Sequence, residues 1–186
     1  MRTKKSYTVV KLIYGIIFYT FSSTFSYLLL KNSYYLPPLL GGNGSFYTLA
    51  LYRYLEHTNN SMRIFYLIQM GKHLARFFMH VFIRPEGSYY EYSLHHALSV
   101  FLIFFSYTMN MWVIGIFVLF VHDISDALVG IPRLYREYKV RKSYITNISA
   151  AIGFFTWVYM RHVAFAYCIF ASWWELFNGV SSCTEA

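Results

Sequence analysis

Cysteine and charge are both scarce in this sequence, and each scarcity removes a class of protein. The two cysteines, Cys168 within an apolar run and Cys183 near the end, form neither a disulfide framework nor a metal-binding spacing. Only 13% of the residues are charged, whereas 57% are hydrophobic and 22% are aromatic. One soluble domain of this length could not bury so much apolar surface. The chain is therefore expected to lie in a membrane.

Acidic residues are also few, 8 against 16 basic ones, which gives a net charge of +8. A surface that binds nucleic acid gathers its basic residues on a solvated face, with aromatic side chains that stack on bases. Here the aromatic residues fill long apolar runs instead. We therefore expect membrane lipid, and no nucleic acid, as a partner.

Five apolar runs are long enough to cross a bilayer, since a spanning helix needs about 20 residues. They cover residues 7–30, 62–83, 89–107, 112–131 and 144–173. Pro37, Pro38 and the glycine-rich stretch 41–44 predict a long loop after the first span, with a short interfacial helix at 45–55. The expected fold is all-α, a polytopic transmembrane helical bundle that forms a single domain over residues 1–186.

Basic residues predict the orientation, because Lys and Arg are enriched in loops on the cytoplasmic side. With the N-terminus inside, the inside segments would carry Arg2, Lys4, Lys5, Lys11, Arg84, Arg133, Arg136, Lys139, Arg141 and Lys142, against Lys31, Arg53 and Arg63 outside. The N-terminus is therefore predicted to lie inside. The basic cluster 133–142 is interpreted as a solvated loop, with binding of anionic lipid headgroups as the alternative.

Ionisable residues within the third span mark a candidate site, because a charge inside a bilayer is costly unless it is paired or faces a wet cavity. Offsets of three and four residues put one stripe of side chains on a single helical face. That stripe consists of His95, Ser99, Leu102 and Ser106. His96 is rotated from His95 by about 100°, so the two imidazoles are predicted to cover a wide sector.

The fourth span carries a second group, in which His122, Asp123 and Asp126 are predicted to share a face. The turn at 108–111 is too short for anything but an antiparallel hairpin, so both groups are expected at comparable depth. An aspartate that accepts a proton from one imidazole nitrogen makes the other nitrogen a better base or acyl acceptor. Such a cluster, beside an apolar slot, suits acyl transfer to an amine.

These residues resemble the motif of the TLC family in its ceramide-synthase branch. The family motif is a double His, a Ser-Tyr pair, an Asn, a Gly and a His-Asp-x-x-Asp ending, matched here by His95, His96, Ser106, Tyr107, Asn110, Gly115, His122, Asp123 and Asp126. The resemblance covers roughly residues 14–172, with Trp157 and Arg161 at a familiar spacing.

The resemblance implies a membrane barrel of six helices that transfers a fatty acyl group from acyl-CoA, as co-substrate, to a sphingoid base. It also implies the endoplasmic reticulum as the location. The implied catalytic residues are His95, His96, Asp123 and Asp126, with His122, Ser106 and Arg161 as neighbours.

The second span departs from the family, where this span is apolar. Lys72, Arg76 and His80 recur here at offsets of four and form a cationic stripe near the middle of the span. One interpretation is that they neutralise Asp123, Asp126 or the carboxylate of a partner. The other is that they bind an anionic group, such as a phosphate of CoA or of an anionic phospholipid.

Further departures concern Val113, where the family commonly has a basic residue, and Glu86-Gly87-Ser88, where it has Lys-Asp. The sequence also ends at Ala186, soon after the fifth span. We therefore expect an incomplete barrel, completed by another membrane subunit or by a second copy. Because Arg161 lies well inside an apolar run, it is expected to meet an acidic group or a phosphate.

Two hypotheses about function follow, and a third is weaker. The chain is an acyl-CoA-dependent N-acyltransferase, or it is a non-catalytic, lipid-binding subunit of a large membrane complex, such as a respiratory complex of the mitochondrial inner membrane. A metal site is the third interpretation. It lacks the Glu-x-x-His pairs of di-iron bundles, and adjacent histidines on a helix diverge, so no metal or other cofactor is expected.

Overall fold

The computed structural model describes residues 2–31, 36, 38–42, 60–83, 88–138, 143–170 and 173–174. Five long helices account for most of them: α1 Arg2–Lys31, α2 Asn60–Phe78, α3 Tyr89–Thr108, α4 Trp112–Glu137 and α5 Ser143–Val158. The described ranges contain no strand, so the all-α prediction is confirmed. The predicted interfacial helix at 45–55 lies outside the described residues.

Two of the helices continue as π-helix, in which each turn holds an extra residue. Met79–Ile83 extends α2, and Tyr159–Ala164 extends α5. Short π segments within α-helices occur frequently at functional sites. Here the first contains His80 and the second contains Arg161.

Two described helical segments, Ser6–Lys31 and Trp112–Glu137, are long and apolar enough to cross a membrane by length and composition. The second and third predicted spans carry ionisable and hydroxyl side chains that lower their hydropathy, and α5 is short before its π segment begins. Many large apolar side chains face outward from the chain, among them Ile17, Leu67, Phe155 and Phe170. Such a surface suits lipid rather than water.

The contacts divide the chain into two compact units. The first unit comprises Met1–Ala50 and Phe117–Ala186, and the second comprises Leu51–Ile116. That residues 1–186 form one domain therefore stays a prediction.

In the first unit, α4 contacts both α1 and α5. The rings of Tyr27 and Phe120 lie 6.2 Å apart between α1 and α4. On the other side, a Cβ at Gly153 of α5 would lie 3.2 Å from the carbonyl oxygen of Leu128. This glycine therefore lets the backbones of α4 and α5 approach closely.

In the second unit, α2 packs along α3 and is fixed by one tyrosine. Tyr66 is buried, and its hydroxyl lies 3.2 Å from Ser106 Oγ and donates a 3.1 Å hydrogen bond to the carbonyl of Trp112. A Cβ at Gly115 would collide with this hydroxyl. The glycine of the family motif therefore makes room for Tyr66.

The turn after α3 depends on Asn110, which has a φ of 58°. Asparagine is one of the few residues that adopt this left-handed conformation readily. The amide of Met111 donates a 2.8 Å hydrogen bond to the carbonyl of Ser106, and the Asn110 side chain accepts one from the Trp112 indole. Ser106, Asn110 and Gly115 of the motif thus build the turn and its packing.

Candidate functional site

Asp123, in the first unit, is buried against α1. Only 3% of it is exposed, and its Oδ2 accepts a 2.5 Å hydrogen bond from the hydroxyl of Ser22. Ser22 and Ser26 lie one turn apart on α1, and both are buried. A serine face in an otherwise apolar helix therefore supplies a donor to a carboxylate in the interior of the unit.

Asp126 meets a different helix. Its Oδ1 lies 2.5 Å from Arg161 Nη2, and Arg161 Nε donates a 3.2 Å hydrogen bond to Ser125 Oγ. The guanidinium also lies 5.7 Å from the centre of the Trp157 ring, a distance typical of cation–π contact. The expectation that Arg161 meets an acidic group is confirmed, because the π segment of α5 brings it to Asp126.

His122 is held by its own helix. Its Nδ1 lies 2.8 Å from the carbonyl oxygen of Val118, and the Phe165 ring of α5 packs edge-on against it at 5.4 Å. Because a carbonyl oxygen can only accept, Nδ1 carries the proton. In the neutral ring, Nε2 then keeps its lone pair and can act as a base.

The prediction that His122, Asp123 and Asp126 share one face is therefore wrong. His122 and Asp126 both contact α5, through Phe165 and Arg161. Asp123 instead contacts α1. The physical reason is the rotation of about 100° per residue, which turns Asp123 away from His122 and toward the other neighbouring helix.

The double histidine belongs to the second unit. The two rings lie 5.4 Å apart, and His96 is partly buried whereas His95 is exposed. That the two imidazoles cover a wide sector stays a prediction. The side of α3 that is turned inward carries His96, Ile103 and Ser106, so the predicted stripe through His95 and Leu102 is not the inward one.

His96 belongs to an aromatic cluster with the π segment of α2. The His80 ring lies 6.0 Å from His96 and 5.5 Å from Tyr92, and its Nε2 lies 3.3 Å from the carbonyl oxygen of Tyr89. His80 is 4% exposed. It is therefore a buried neighbour of the double histidine, and its predicted role in binding an anion stays a prediction.

Lys72 and Arg76 lie on α2 and are both partly buried. Each has interactions within the chain. Whether these side chains bind a lipid phosphate stays a prediction, as does the meeting of His95 and His96 with Asp123 and Asp126, since the two pairs belong to different units. Within the described ranges, no three His, Cys, Asp or Glu side chains come together as metal ligands.

Two residues of the interior escaped prediction from the sequence. Ser22 was not predicted, although the run of hydroxyl residues at 22–24 and at Ser26 inside an apolar helix was a visible signal. Tyr66 was not predicted either, because one tyrosine among many gives no signal by itself. Both are recognised only through their partners, Asp123 and Ser106.

Comparison with known proteins supplies the family. The TLC domain matches residues 9–183. Ceramide synthase hyl-2 of Caenorhabditis elegans is 31% identical over 116 residues, which is 62% of this chain and 35% of that protein. Ceramide synthase 4 of Mus musculus is 32% identical over 105 residues, 52% of this chain and 27% of that protein.

A fungal relative agrees with these two. Sphingosine N-acyltransferase lag1 of Schizosaccharomyces pombe is 26% identical over 106 residues, 56% of this chain and 26% of that protein. The matched segments thus span about a quarter to a third of the relatives' own lengths. The chain is an integral membrane protein that belongs to the TLC-domain family, in its ceramide-synthase branch.

Proposed function

We propose that the chain transfers a fatty acyl group from acyl-CoA to the amino group of a sphingoid base. One observation carries the proposal: on one membrane helix, His122, Asp123 and Asp126 each have a hydrogen-bond partner within the described protein. Ionisable groups inside a membrane are rare and costly, and they mark functional sites by default. The names of the three relatives, all synthases or acyltransferases, supply the class of reaction.

The reaction itself balances without any oxidant, metal or cofactor. The amine nitrogen attacks the thioester carbonyl carbon, a C–N bond forms, and the π electrons of the carbonyl move onto oxygen. A base removes the proton from the new ammonium centre. When the C=O bond re-forms, the C–S bond breaks and CoA leaves as a thiolate, which takes up a proton.

Each group of polar residues suits one step of this reaction. His122 can serve as the base in the first unit, since its protonated Nδ1 is fixed on Val118 and its Nε2 keeps the lone pair. The carboxylates of Asp123 and Asp126 favour the imidazolium that forms. The family motif assigns His95 and His96 to the same reaction, as bases or acyl acceptors.

The resemblance also guides the proposed location and partners. We place the protein in the endoplasmic reticulum membrane, with other membrane subunits or a second copy beside it. The alternative is a non-catalytic, lipid-binding subunit of a complex in the mitochondrial inner membrane. The names of the relatives support the acyltransferase over this alternative.

The test is an acyl-transfer assay on the chain purified in lipid nanodiscs, together with any membrane subunits that co-purify. We expect an N-acylated long-chain base, detected by mass spectrometry, and its loss in His96→Ala and Asp123→Asn. His162→Ala is the matched control, since His162 is exposed and packs against Trp157 at 5.1 Å. Wild-type protein that forms no product from any acyl-CoA would contradict the proposal.

A further inference from the structure

One face of α2 is polar over three turns. Gln69, His73, Arg76 and His80 follow one another at offsets of four, three and four residues, and such offsets fall on a single helical face. Gln69 and His80, at the two ends of this series, are 0% and 4% exposed. The face is therefore turned into the second unit, and we call these four residues the polar face of α2.

The polar face lies level with the double histidine of α3. Two contacts fix how the antiparallel helices are aligned: Tyr66 meets Ser106 at one end, and His80 meets Tyr92 at the other. Arg76 lies one turn before His80 on α2. Because the helices are antiparallel, its level on α3 is one turn after Tyr92, which is the position of His96. The 6.0 Å separation of the His80 and His96 rings agrees with this alignment.

His73 supplies the second observation. Both of its ring nitrogens are buried and have no hydrogen-bond partner among the described residues. The ring is partly buried on the polar face of α2, one turn before Arg76. A buried imidazole without a partner is costly, so its nitrogens point to a ligand that the described residues do not provide.

The charge of this region favours an anion. The described residues of the second unit include three cationic side chains, Arg63, Lys72 and Arg76, and one acidic residue, Glu91, which is exposed. In acyl transfer, a negative charge develops on the carbonyl oxygen as the nucleophile attacks. Preorganised donors and cations aimed at that oxygen are commonly the largest contribution to catalysis.

We propose that Arg76 and His73 stabilise the oxyanion of the acyl thioester beside His95 and His96, and this inference rests on the proposed function. When the nucleophile adds, the π electrons of the carbonyl move to oxygen, where the guanidinium and the imidazole N–H of His73 donate hydrogen bonds. When the C=O bond re-forms, the thiolate leaves and both donors are released. A CoA phosphate is a poorer occupant, because the pantetheine arm separates the phosphates from the carbonyl that must reach the histidines.

The test compares two acyl donors that share the same thioester: acyl-CoA, and acyl-pantetheine, which has no phosphate groups on its arm. Removing one oxyanion donor commonly lowers kcat by about 100- to 1,000-fold. We expect Arg76→Gln to lower kcat to this extent with both donors while KM changes little. Arg76→Lys keeps the charge and should recover part of the rate, and His73→Ala should lower kcat less than Arg76→Gln.

Arg63→Gln is the matched control, because Arg63 is an exposed arginine near the start of the same helix. This variant should keep the kcat and KM of wild type with both acyl donors. Gel filtration in detergent checks that each variant is folded. If Arg76→Gln is not folded, the kcat of Arg76→Lys is compared with that of wild type instead, and an unchanged kcat would contradict the oxyanion role.

Three results obtained with active wild-type protein would overturn the inference. Unchanged kcat in both Arg76→Gln and His73→Ala would remove the oxyanion role. A rise in KM for acyl-CoA alone would identify a phosphate site on the donor. A defect that appears only in nanodiscs containing anionic phospholipid, and not in phosphatidylcholine alone, would identify a lipid headgroup site. If wild type is inactive with both donors, the proposed function fails first and the inference fails with it.

Discussion

The hydroxyl of Ser22 donates a 2.5 Å hydrogen bond to Oδ2 of Asp123, and the two residues are 101 positions apart in the sequence. Both are almost fully buried. The bond ties the first membrane helix to Asp123 of the family motif. The activity of the site should therefore depend on a residue outside that motif.

Ser22→Ala tests this dependence. It removes one donor from a buried carboxylate, which should lower the free energy of unfolding by about 1–2 kcal/mol. Acyl transfer should fall as well, because Asp123 loses part of its fixed orientation. Thr24→Ala is the control, since Thr24 is exposed and its hydroxyl donates to the Thr20 carbonyl within α1. Equal effects from the two substitutions would show that the Ser22 bond is unimportant.

Arg161 and Asp126 should be energetically coupled. Arg161→Gln leaves a carboxylate that has lost its cation, and Asp126→Asn removes the charge that the guanidinium meets. In a double-mutant cycle measured by unfolding, the pair should show a coupling of about 1 kcal/mol, modest because both side chains are partly exposed. Strictly additive effects of the two substitutions would show that the 2.5 Å contact contributes no stability.

Gly115→Ala should destabilise the second unit, because the added methyl group collides with the hydroxyl of Tyr66. We expect a loss of about 1–3 kcal/mol, as for other overpacked interiors. Tyr66→Phe removes the clashing oxygen, so the double variant should be more stable than additivity predicts. Gly71→Ala is the control, because nothing lies within 4 Å of a Cβ at that position. A Gly115→Ala protein as stable as Gly71→Ala would contradict the packing described for Tyr66.

His122→Asn distinguishes the structural hydrogen bond of His122 from its function as a base. An asparagine side chain can still donate a hydrogen bond to the Val118 carbonyl, but it offers no basic nitrogen. The variant should unfold within about 1 kcal/mol of wild type and yet lose acyl transfer by about 100-fold or more. Measuring thermal unfolding and product formation on the same sample checks both parts. Activity close to that of wild type would remove His122 as the base.

The helices and the family could be predicted from the sequence because their signals are local or spaced at fixed intervals. Long apolar runs indicated α1 and α4, and the spacing of the double histidine and the His-Asp-x-x-Asp ending indicated the family. In each case the pattern lies within one or two neighbouring helices.

The partners of the polar residues could not be predicted, because they depend on how distant helices pack. Nothing in the sequence indicates that Asp123 turns to α1 while Asp126, three residues later, turns to α5. The inward side of α3 could not be predicted for the same reason, since the contact of Tyr66 with Ser106 decides it. The role of Asn110 and Gly115 in the turn likewise becomes visible only beside Tyr66 and Trp112.

The π segment Tyr159–Ala164 has an angular consequence for α5. Gly153, before the segment, and Phe165, after it, both contact α4. In an uninterrupted α-helix, twelve residues would leave these two positions roughly 120° out of phase. In the wider turn of the π segment each residue rotates by a smaller angle, which cancels most of this phase difference of roughly 120°. Deleting one residue from it would leave eleven residues of ordinary α-helix between the two positions, only roughly 20° out of phase, so Phe165 would stay beside His122 and Gly153 would keep its contact. The π segment is accordingly the place where α5 accommodates one extra residue without losing either contact with α4.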